Sequence, residues 1–212
     1  CIMKAPMSER LTVLIPCKDE RKNIRLCIES VRAIADEILL ADSGSTDGTL
    51  EIVRQMGGCR IIEREYINHG DFLDWAVPQA KYRWVLVVDA DERLTERLAR
   101  EIKQVLARPP DEIDAYWVSF QCFFMGHPVR FSRWNTPALR LVHRDRCRNR
   151  QCRVHPEFLV PRERTGKLSG KLLHYSFWTY NEYFRKYEKY TQWVAEDRWD
   201  RGKRTGVFGL LV

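Results

Sequence analysis

The sequence has 212 residues, enough for one domain, or one domain with a modest extension, that buries a hydrophobic core. Hydrophobic residues make up 44% and charged residues 31%, a balance that excludes wholesale disorder. The net charge of +7 predicts anionic partners such as nucleotide phosphates, acidic lipid head groups or nucleic acid. No stretch approaches the roughly 20 apolar residues that a membrane-spanning helix needs.

The cysteines and the two termini bear on the cellular compartment. Seven cysteines are scattered without regular spacing, and an odd number cannot all pair. Charged residues interrupt the apolar positions near the N-terminus, so no signal peptide is predicted. We therefore expect free thiols and a cytoplasmic, reducing location. Residues 206–212 are largely apolar and look like the start of a further segment, so we expect the chain to be truncated there.

The first half of the chain alternates apolar runs with segments of helical periodicity. Strands are predicted over 11–15, 37–41, 59–62 and 84–88, and helices over 23–35, 46–56, 71–81 and 95–106. Such alternation predicts right-handed βαβ units and therefore an α/β fold, with a mainly parallel central sheet flanked by helices. Ligands of these sheets bind beyond the carboxyl ends of the strands.

The pattern changes after about residue 112. Strands are predicted over 115–124 and 138–142, with arginine-rich connections between them. A last helix is predicted over 179–199, opened by the capping-box pattern Thr179-x-x-Glu182. This helix is rich in aromatic and basic residues, which favours either packing of its aromatic stripe on the domain or contact with an anionic membrane.

Three carboxylates, Asp89, Asp91 and Glu92, follow the most apolar predicted strand. Side chains alternate along a strand, so Asp89 and Asp91 can point the same way, and two like charges that close need a shared cation. A Mg²⁺ or Mn²⁺ ion held partly by carboxylate and partly by substrate phosphate oxygens meets that need. An acidic turn that caps the next helix is the alternative, but the position at the end of a buried strand favours the metal.

A second turn-rich segment, residues 42–48, follows the second predicted strand. Its two glycines permit a tight backbone path. Asp42 stands where a strand-end carboxylate can accept a hydrogen bond from a base N–H or a ribose hydroxyl. A Ser/Gly turn with a helix cap is the structural alternative.

Three segments together resemble the family 2 glycosyltransferases of GT-A fold. They are Ile15-Pro16-Cys17-Lys18-Asp19-Glu20, residues 42–49 and Asp89-Ala90-Asp91-Glu92. The resemblance extends over residues 10–190 and is greatest to the bacterial branch that builds lipopolysaccharide cores and related glycans. One departure is Asp19, which stands where the family often has Asn.

The resemblance implies a division of labour among the site residues. Pro16, Glu20 and Asp42 would line the base and ribose pocket. Asp89 would contact the ribose and the metal region, and Asp91 would ligate the metal that bridges the diphosphate. His174 occupies a position where the family commonly has a His that completes the metal or diphosphate site; a satisfied structural histidine is the alternative.

An inverting transfer also needs a base that takes the proton from the acceptor hydroxyl. In the resembled branch a Val-His-Glu sequence supplies it, and here Val154-His155-Pro156-Glu157 occupies that region. The resemblance therefore implies Glu157 as base, although Pro156 shifts the carboxylate by one residue. Asp145 is the second candidate, and a solvated surface acid is the alternative for either.

Two histidines and two cysteines lie within residues 143–155 and are of ligand types that bind zinc. Their spacing is not that of common zinc fingers, and five arginines in the same segment oppose a cation. A basic loop that meets an anionic acceptor or a membrane is the favoured interpretation.

These observations predict a catalytic domain over 9–178, with a nucleotide-sugar-binding half at 10–110 and an acceptor half at 111–178, then an aromatic and basic C-terminal region at 179–212. The predicted activity is metal-dependent, inverting transfer from a UDP-sugar to a hydroxyl of a lipid-linked or lipopolysaccharide-core glycan. The expected location is cytoplasmic, with peripheral contact to the anionic inner face of the inner membrane.

Four alternatives compete with this activity. Transfer to a lipid phosphate and a non-catalytic nucleotide-binding relative use the same fold and stay open. A nucleotidyltransferase is disfavoured because no Gly-rich, Arg-containing loop follows Ile15. No nucleic acid partner is expected, because motifs for base readout or base stacking are missing.

Overall fold

The computed structural model describes residues 8–130, 133–149, 158–200 and residue 202. The strands are β1 (Leu11–Cys17), β2 (Glu37–Asp42), β3 (Cys59–Glu63), β4 (Trp84–Val87), β5 (Glu92–Leu94), β6 (Ala115–Phe124), β7 (His127–Pro128), β8 (Ala138–His143), β9 (Arg148–Asn149), β10 (Phe158–Leu159) and β11 (Thr165–Phe177). The helices are α1 (Ile24–Val31), α2 (Thr49–Met56), α3 (His69–Ala76), α4 (Glu96–Ala107) and α5 (Tyr180–Asp200).

The central sheet has the strand order β3-β2-β1-β4-β8-β6-β11-β5, with β7 paired to β6. Strands β3, β2, β1 and β4 are mutually parallel, and β11 is parallel to β6. Strand β8 is antiparallel to both β4 and β6, and β5 is antiparallel to β11. Only β8 and β5 therefore oppose the common direction along this path of described strands. The predicted α/β class with a mainly parallel sheet is confirmed.

Both faces of the sheet are covered, which explains why its first strands are continuous apolar runs rather than alternating ones. On β1, Val13 and Ile15 belong to one buried cluster, whose helical members include Ile28 and Leu98. Leu14, between them, belongs to a second cluster on the opposite face. Helices α1, α2 and α4 contribute to the first cluster and α3 to the second.

Four predicted helix boundaries differ from those observed by two or more residues. Helix α2 begins at Thr49 rather than at 46, after the N-cap residue Gly48. Helix α1 ends at Val31 rather than at 35, and a hydrogen-bonded turn completes the segment. Helix α3 begins at His69, two residues early, because the side chain of Asn68 accepts a hydrogen bond from Asp71 N at 2.9 Å. It ends at Ala76 rather than 81, where a 3₁₀ turn containing Pro78 takes over.

Helix α5 follows β11 directly and begins with the predicted capping pattern. Glu182 N donates to Thr179 Oγ1 at 3.2 Å, and Trp178 N donates to a carboxylate oxygen of Glu182 at 2.9 Å. The return bond thus comes from the residue before Thr179. No helix within the described ranges is both long and apolar enough to cross a membrane.

The aromatic stripe of α5 is divided between the domain and solvent. Tyr183 packs edge-on against Phe124 and Phe177, with ring centroids 5.4 and 5.2 Å apart. Phe184 and Tyr187, in contrast, are 60% and 59% exposed. Packing on the domain therefore accounts for part of the stripe and leaves another part uncovered in this structure.

Candidate active site

The chain changes direction in the sheet between β1 and β4. It moves from β1 through β2 to β3 on one side, then returns to place β4 on the other side of β1. Connections leaving the carboxyl ends of β1 and β4 therefore diverge, and such a switch point opens a crevice for ligands. The segment after β1 begins at Lys18, and the segment after β4 contains Asp89 and Asp91.

The acidic segment after β4 is a tight turn. Strand β4 ends at Val87, and Val88 N still donates to Leu14 O at 3.0 Å. Glu92 N donates to Asp89 O at 2.8 Å, while Asp89 N donates to the Glu92 carboxylate at 2.9 Å. A turn rather than a pleated strand therefore sets the directions of the Asp89 and Asp91 side chains, and the prediction from strand alternation is wrong.

Arg140 of β8 pairs with two of these carboxylates. One guanidinium nitrogen, Nη2, lies 2.8 Å from Asp89 Oδ2 and 2.7 Å from Glu92 Oε1. The side chain of Glu92 is fully buried, and burial raises its pKa to about 7 despite the facing arginine. Burial also acts to raise the pKa of Asp89, but Arg140 outweighs it and holds that pKa below its usual range. Arg140 therefore keeps Asp89 ionised at the mouth of the crevice.

Asp91 is paired with cations from the C-terminal part of the chain. His174 Nε2 of β11 lies 3.3 Å from Asp91 Oδ2, and Lys186 Nζ of α5 lies 3.7 Å from the same oxygen. Burial opposes ionisation of Asp91, but His174 and Lys186 outweigh it and lower the pKa of this carboxyl. Burial likewise acts to lower the pKa of His174, yet Asp91 raises it to about 11. Asp91 and His174, the two predicted metal ligands, therefore lie in contact, although their roles as ligands remain predictions.

Glu20 lies in the segment after β1 and faces the same carboxylates. Its carboxylate accepts a hydrogen bond from Asn23 Nδ2 at 2.8 Å. Burial and the nearby charge of Asp91 raise the pKa of Glu20 to about 7. Glu20 is thus a carboxyl group that changes charge near neutral pH within reach of the Asp91 electrostatic field.

The segments after β1 and β2 are joined by reciprocal hydrogen bonds. Asp19 N donates to Ser45 Oγ at 2.9 Å, and Thr46 N donates back to Asp19 Oδ1 at 2.7 Å. Glu20 N donates to Thr49 Oγ1 at 2.9 Å. Asp19 has φ of 54°, a left-handed conformation that Asp and Asn tolerate better than other side chains. That tolerance explains why Asp can stand where the resembled family often has Asn.

Asp42 is completely buried at the end of β2, level with Cys17 of β1. Its carboxylate accepts hydrogen bonds from Gly44 N and Ser45 N, each at 2.8 Å, and from Ser45 Oγ at 2.5 Å. Gly44 adopts φ of 90°, which a side chain would strain. Asp42 therefore shapes its own turn, whatever further contact it makes. Pro16, one position before the end of β1, pairs in register with Ala41 and is partly exposed.

Arg93 stabilises the acidic turn through hydrogen bonds to its backbone carbonyls. Its Nη1 donates to Glu92 O at 2.8 Å and to Ala90 O at 3.2 Å, and its Nη2 donates to Asn23 Oδ1 at 3.2 Å. Trp178 Nε1 donates to the same Asn23 oxygen at 3.1 Å. The turn, the start of α1 and the segment before α5 thus meet at one amide side chain.

The two candidate bases for the acceptor are not found at the site in the described part of the chain. Glu157 lies outside the described residues, so its role as base stays a prediction. Asp145 pairs with Arg144 at 2.8 Å and follows β8, whose last residue, His143, pairs with Trp84 at the start of β4. Asp145 therefore lies at the opposite edge of the sheet from Asp89, and the structure does not bring the second candidate base to the site.

The histidine- and cysteine-containing segment is only partly described. His143 packs its ring edge-on against Trp84, and the thiol of the buried Cys147 donates to Asp114 O. Cys152 and His155 lie outside the described residues. Among the residues that are described, no three His, Cys, Asp or Glu side chains are grouped closely enough to hold a metal unaided. The five described cysteines are all free.

Sequence reasoning missed Arg140, Arg93 and Lys186 as site residues. Arg140 carried a signal, because it interrupts the apolar run Leu139-Leu141-Val142 inside a predicted strand. A buried charge in a strand is expected only with a partner, and the unassigned acid Glu92 was available. Arg93 and Lys186 stood in charged contexts that gave no comparable signal.

Comparison with known proteins identifies the family of the chain. The model of the family described as Glycosyl transferase family 2 matches residues 12–167. The lipopolysaccharide core biosynthesis glycosyltransferase LpsC of Rhizobium meliloti (strain 1021) is 30% identical over 211 residues, covering 95% of this chain and 76% of LpsC. The uncharacterized glycosyltransferase RP128 of Rickettsia prowazekii (strain Madrid E) is 26% identical over 215 residues, covering 96% of this chain and 73% of RP128.

A solved structure supports the fold. The crystal structure of S. aureus TarS 1-349 aligns with a TM-score of 0.56 at 18% identity, covering 79% of this chain and 60% of that one. The chain is thus shorter than each of these three proteins. The family match spans most of the 212 residues and contains both acidic turns. The chain therefore belongs to glycosyltransferase family 2 and has the GT-A fold.

Proposed function

We propose that this chain catalyses inverting transfer of a sugar from a UDP-sugar to a hydroxyl of a lipopolysaccharide-core or lipid-linked glycan. The observation that carries the proposal is the Asp89–Glu92 turn at the switch point between β1 and β4, with Asp89 held ionised by Arg140. Similarity to LpsC, a lipopolysaccharide core biosynthesis glycosyltransferase, supports the acceptor class.

The donor set around Asp91 suits a divalent cation that is shared with a phosphate ligand. Asp91 offers a carboxylate, and His174 would offer an imidazole nitrogen after losing its proton to solvent, with 3.3 Å between Oδ2 and Nε2; both are metal-ligand types. Two protein donors are too few for a protein-only site, but Mg²⁺ commonly binds through one or two carboxylates plus substrate phosphates. When bound, Mn²⁺ or Mg²⁺ would neutralise charge that builds on the departing diphosphate.

The chain's own residues have distinct proposed roles. Pro16, Glu20 and Asp42 line the nucleotide pocket, Asp42 chiefly by holding the turn at Gly44 through its carboxylate. Asp89 contacts the ribose. Glu157 takes the acceptor proton.

A lipid-linked acceptor suits a peripheral location of the protein at the inner face of the inner membrane, and α5 has side chains that fit such a location. Phe184 and Tyr187 of α5 are exposed, and the basic residues Arg185 and Lys189 between and after them are exposed as well. Exposed aromatic and cationic side chains on one helix suit the head-group region of an anionic membrane. We assign residues 9–178 to the catalytic domain and 179–212 to this membrane-proximal region.

Thermal unfolding with UDP tests the donor half. UDP at about 100 times its Kd stabilises a folded protein by about 2.7 kcal/mol, which corresponds to about 5–10 °C in Tm for a chain of this size. We expect this shift with Mn²⁺ and a much smaller one after chelation. Asp91→Asn should abolish it, while Asp145→Asn, the same chemical change at the opposite edge of the sheet, should not.

Two results would contradict the proposal. One is the lack of any metal-dependent shift in the wild-type protein with UDP, GDP or dTDP. The other is an equal loss of the shift in the Asp145→Asn control. The acceptor half is tested separately: Glu157→Gln should keep the UDP shift and lose transfer, and loss of both would show that the base is misassigned.

A further inference from the structure

Helix α5 packs on the sheet through Tyr183 and also reaches residues that line the crevice. Its first turn is tied to the segment after β1 by an ion pair between Lys22 and Glu182, 2.6 Å apart. Burial and the electrostatic effect of Tyr190, two turns of the helix further on, raise the pKa of Tyr66 in the segment after β3. Between these two points α5 passes the acidic turn after β4.

One α5 side chain reaches the centre of the site from this position. Lys186 extends its amine over the ring of Phe177, 5.3 Å from the centroid, to within 3.7 Å of Asp91 Oδ2. The side chain is 40% exposed. The 3.7 Å separation is longer than a hydrogen bond, so the amine is held by charge and can move without breaking a fixed contact.

The cations around the acidic turn differ in their freedom to meet a ligand. Arg140 is 13% exposed and bonded to two carboxylates, so it cannot turn away from them. His174 is held by Asp91 on one ring nitrogen and lies 3.8 Å from the Cys122 sulfur on the other. Lys186 combines a flexible stem with a loose contact, and an ammonium is a common ligand of phosphate oxygens.

We propose that Lys186 is a donor-binding residue, contributed by α5, that contacts the diphosphate of the sugar nucleotide. Before the donor arrives, its amine occupies the cation position at Asp91. With a divalent cation and the diphosphate bound, the amine would leave Asp91 and bind the phosphate oxygens beside it. The inference rests on the proposed function, because it needs a diphosphate and a metal at this site.

The two roles of Lys186 have opposite effects on affinity: the amine weakens binding of Mn²⁺ alone and strengthens binding of UDP with Mn²⁺. This difference makes the roles testable. Removing the amine removes a competitor of Mn²⁺ at Asp91, so Mn²⁺ alone should bind about three- to tenfold more tightly to Lys186→Met. The same variant loses a charged contact to the diphosphate, so UDP at saturating Mn²⁺ should bind about tenfold or more weakly. A purely structural role for the lysine would not produce that split.

The experiment measures free Mn²⁺ by electron paramagnetic resonance and UDP binding by calorimetry at saturating Mn²⁺. Lys189→Met is the matched control: Lys189 is exposed on the same helix, with its amine 4.6 Å from the Trp193 ring centroid rather than at the acidic turn. It should match the wild type in both titrations. Lys186→Arg, which keeps the charge, should recover most of the UDP affinity, and thermal unfolding checks that Lys186→Met folds.

The outcomes separate this inference from the proposed function. If the wild type binds UDP with Mn²⁺ and Lys186→Met binds it equally well, the inference is overturned and the function stands. If Lys186→Met binds both Mn²⁺ and UDP more weakly than the wild type, or if it fails to fold, the packing of α5 rather than the amine is responsible. The inference is then overturned as well. If the wild type binds no nucleoside diphosphate, the function itself fails and the inference falls with it.

Discussion

Replacing Arg140 with Met should destabilise the protein in a pH-dependent way. The guanidinium is the cation that faces the buried carboxylate of Glu92, at 2.7 Å, and it also pairs with Asp89. Breaking a buried ion pair by removing one partner costs about 3–5 kcal/mol, because the other charge stays buried. We expect a loss of that size at pH 8, where the Glu92 carboxylate must be charged or take up a proton.

The pH dependence follows from the pKa of Glu92. Burial raises that pKa from 4.5 to about 7 even with Arg140 present, a difference that corresponds to about 3 kcal/mol. A carboxyl whose folded pKa is raised contributes stability that is complete below pH 4.5 and is lost as the pH rises through the folded pKa. Without Arg140 the pKa rises further, so more stability is lost between pH 5.5 and 8 in the variant than in the wild type.

Urea unfolding of four proteins measures the effect: the wild type, Arg140→Met, Glu92→Gln and the double variant, each at pH 5.5 and pH 8. Arg140→Met should lose less at pH 5.5 than at pH 8. Glu92→Gln should restore much of the loss in the double variant, because an amide replaces the unpaired charge at nearly the same volume. Equal losses at both pH values, with no rescue by Glu92→Gln, would refute the reasoning.

Two further predictions concern β11. Gly170→Ala would place a Cβ 2.4 Å from the Cα of Leu98, so we expect a loss of about 3 kcal/mol or more in urea unfolding. Ser169→Ala is the control, and a Gly170→Ala stability within 0.5 kcal/mol of the wild type would contradict the packing. His174→Gln should cost about 1.5–3 kcal/mol near pH 6 by breaking the charged contact with Asp91. The pKa of His174 is raised from 6.5 to about 11, so its stabilisation is complete below pH 6.5 and lost towards pH 11. The difference in unfolding free energy between His174→Gln and the wild type should therefore be smaller at pH 10 than at pH 6. An equal difference at both pH values would contradict the pairing of His174 with Asp91.

Local sequence signals were sufficient to predict the parallel strands β1 to β4 of the sheet. Strands β1 to β4 are apolar runs separated by amphipathic helices, and burial on both faces is what makes those runs continuous. Strand β5 was missed because its three residues, Glu92, Arg93 and Leu94, include two charges. They form a strand through antiparallel pairing with Leu172, Leu173 and His174, about eighty positions later, which no local pattern encodes.

The acidic half of the site was predictable, but its cations largely were not. Asp89 and Asp91 stand together in the sequence at the end of an apolar run, so their clustering is visible. Their partners Arg140, His174 and Lys186 come from β8, β11 and α5, fifty to ninety-five positions away. Only His174 was anticipated, through the family resemblance. Which distant cation meets which carboxylate depends on strand order, and strand order is a property of the whole sheet.

The hydrogen bonds between the segments after β1 and β2 have a consequence for affinity. Thr46 N of the segment after β2 donates to the Asp19 carboxylate of the segment after β1. The Asp42 carboxylate holds the segment after β2 by accepting from Gly44 N and Ser45 N. A pocket wall built this way is rigid before any ligand arrives. Binding of the proposed nucleotide would therefore cost less conformational entropy for ordering these loops, so a larger share of its contact energy would remain as affinity. Helix α5 is the natural place for any adjustment to the sugar, because its described contacts with the site are made by the side chains of Glu182 and Lys186.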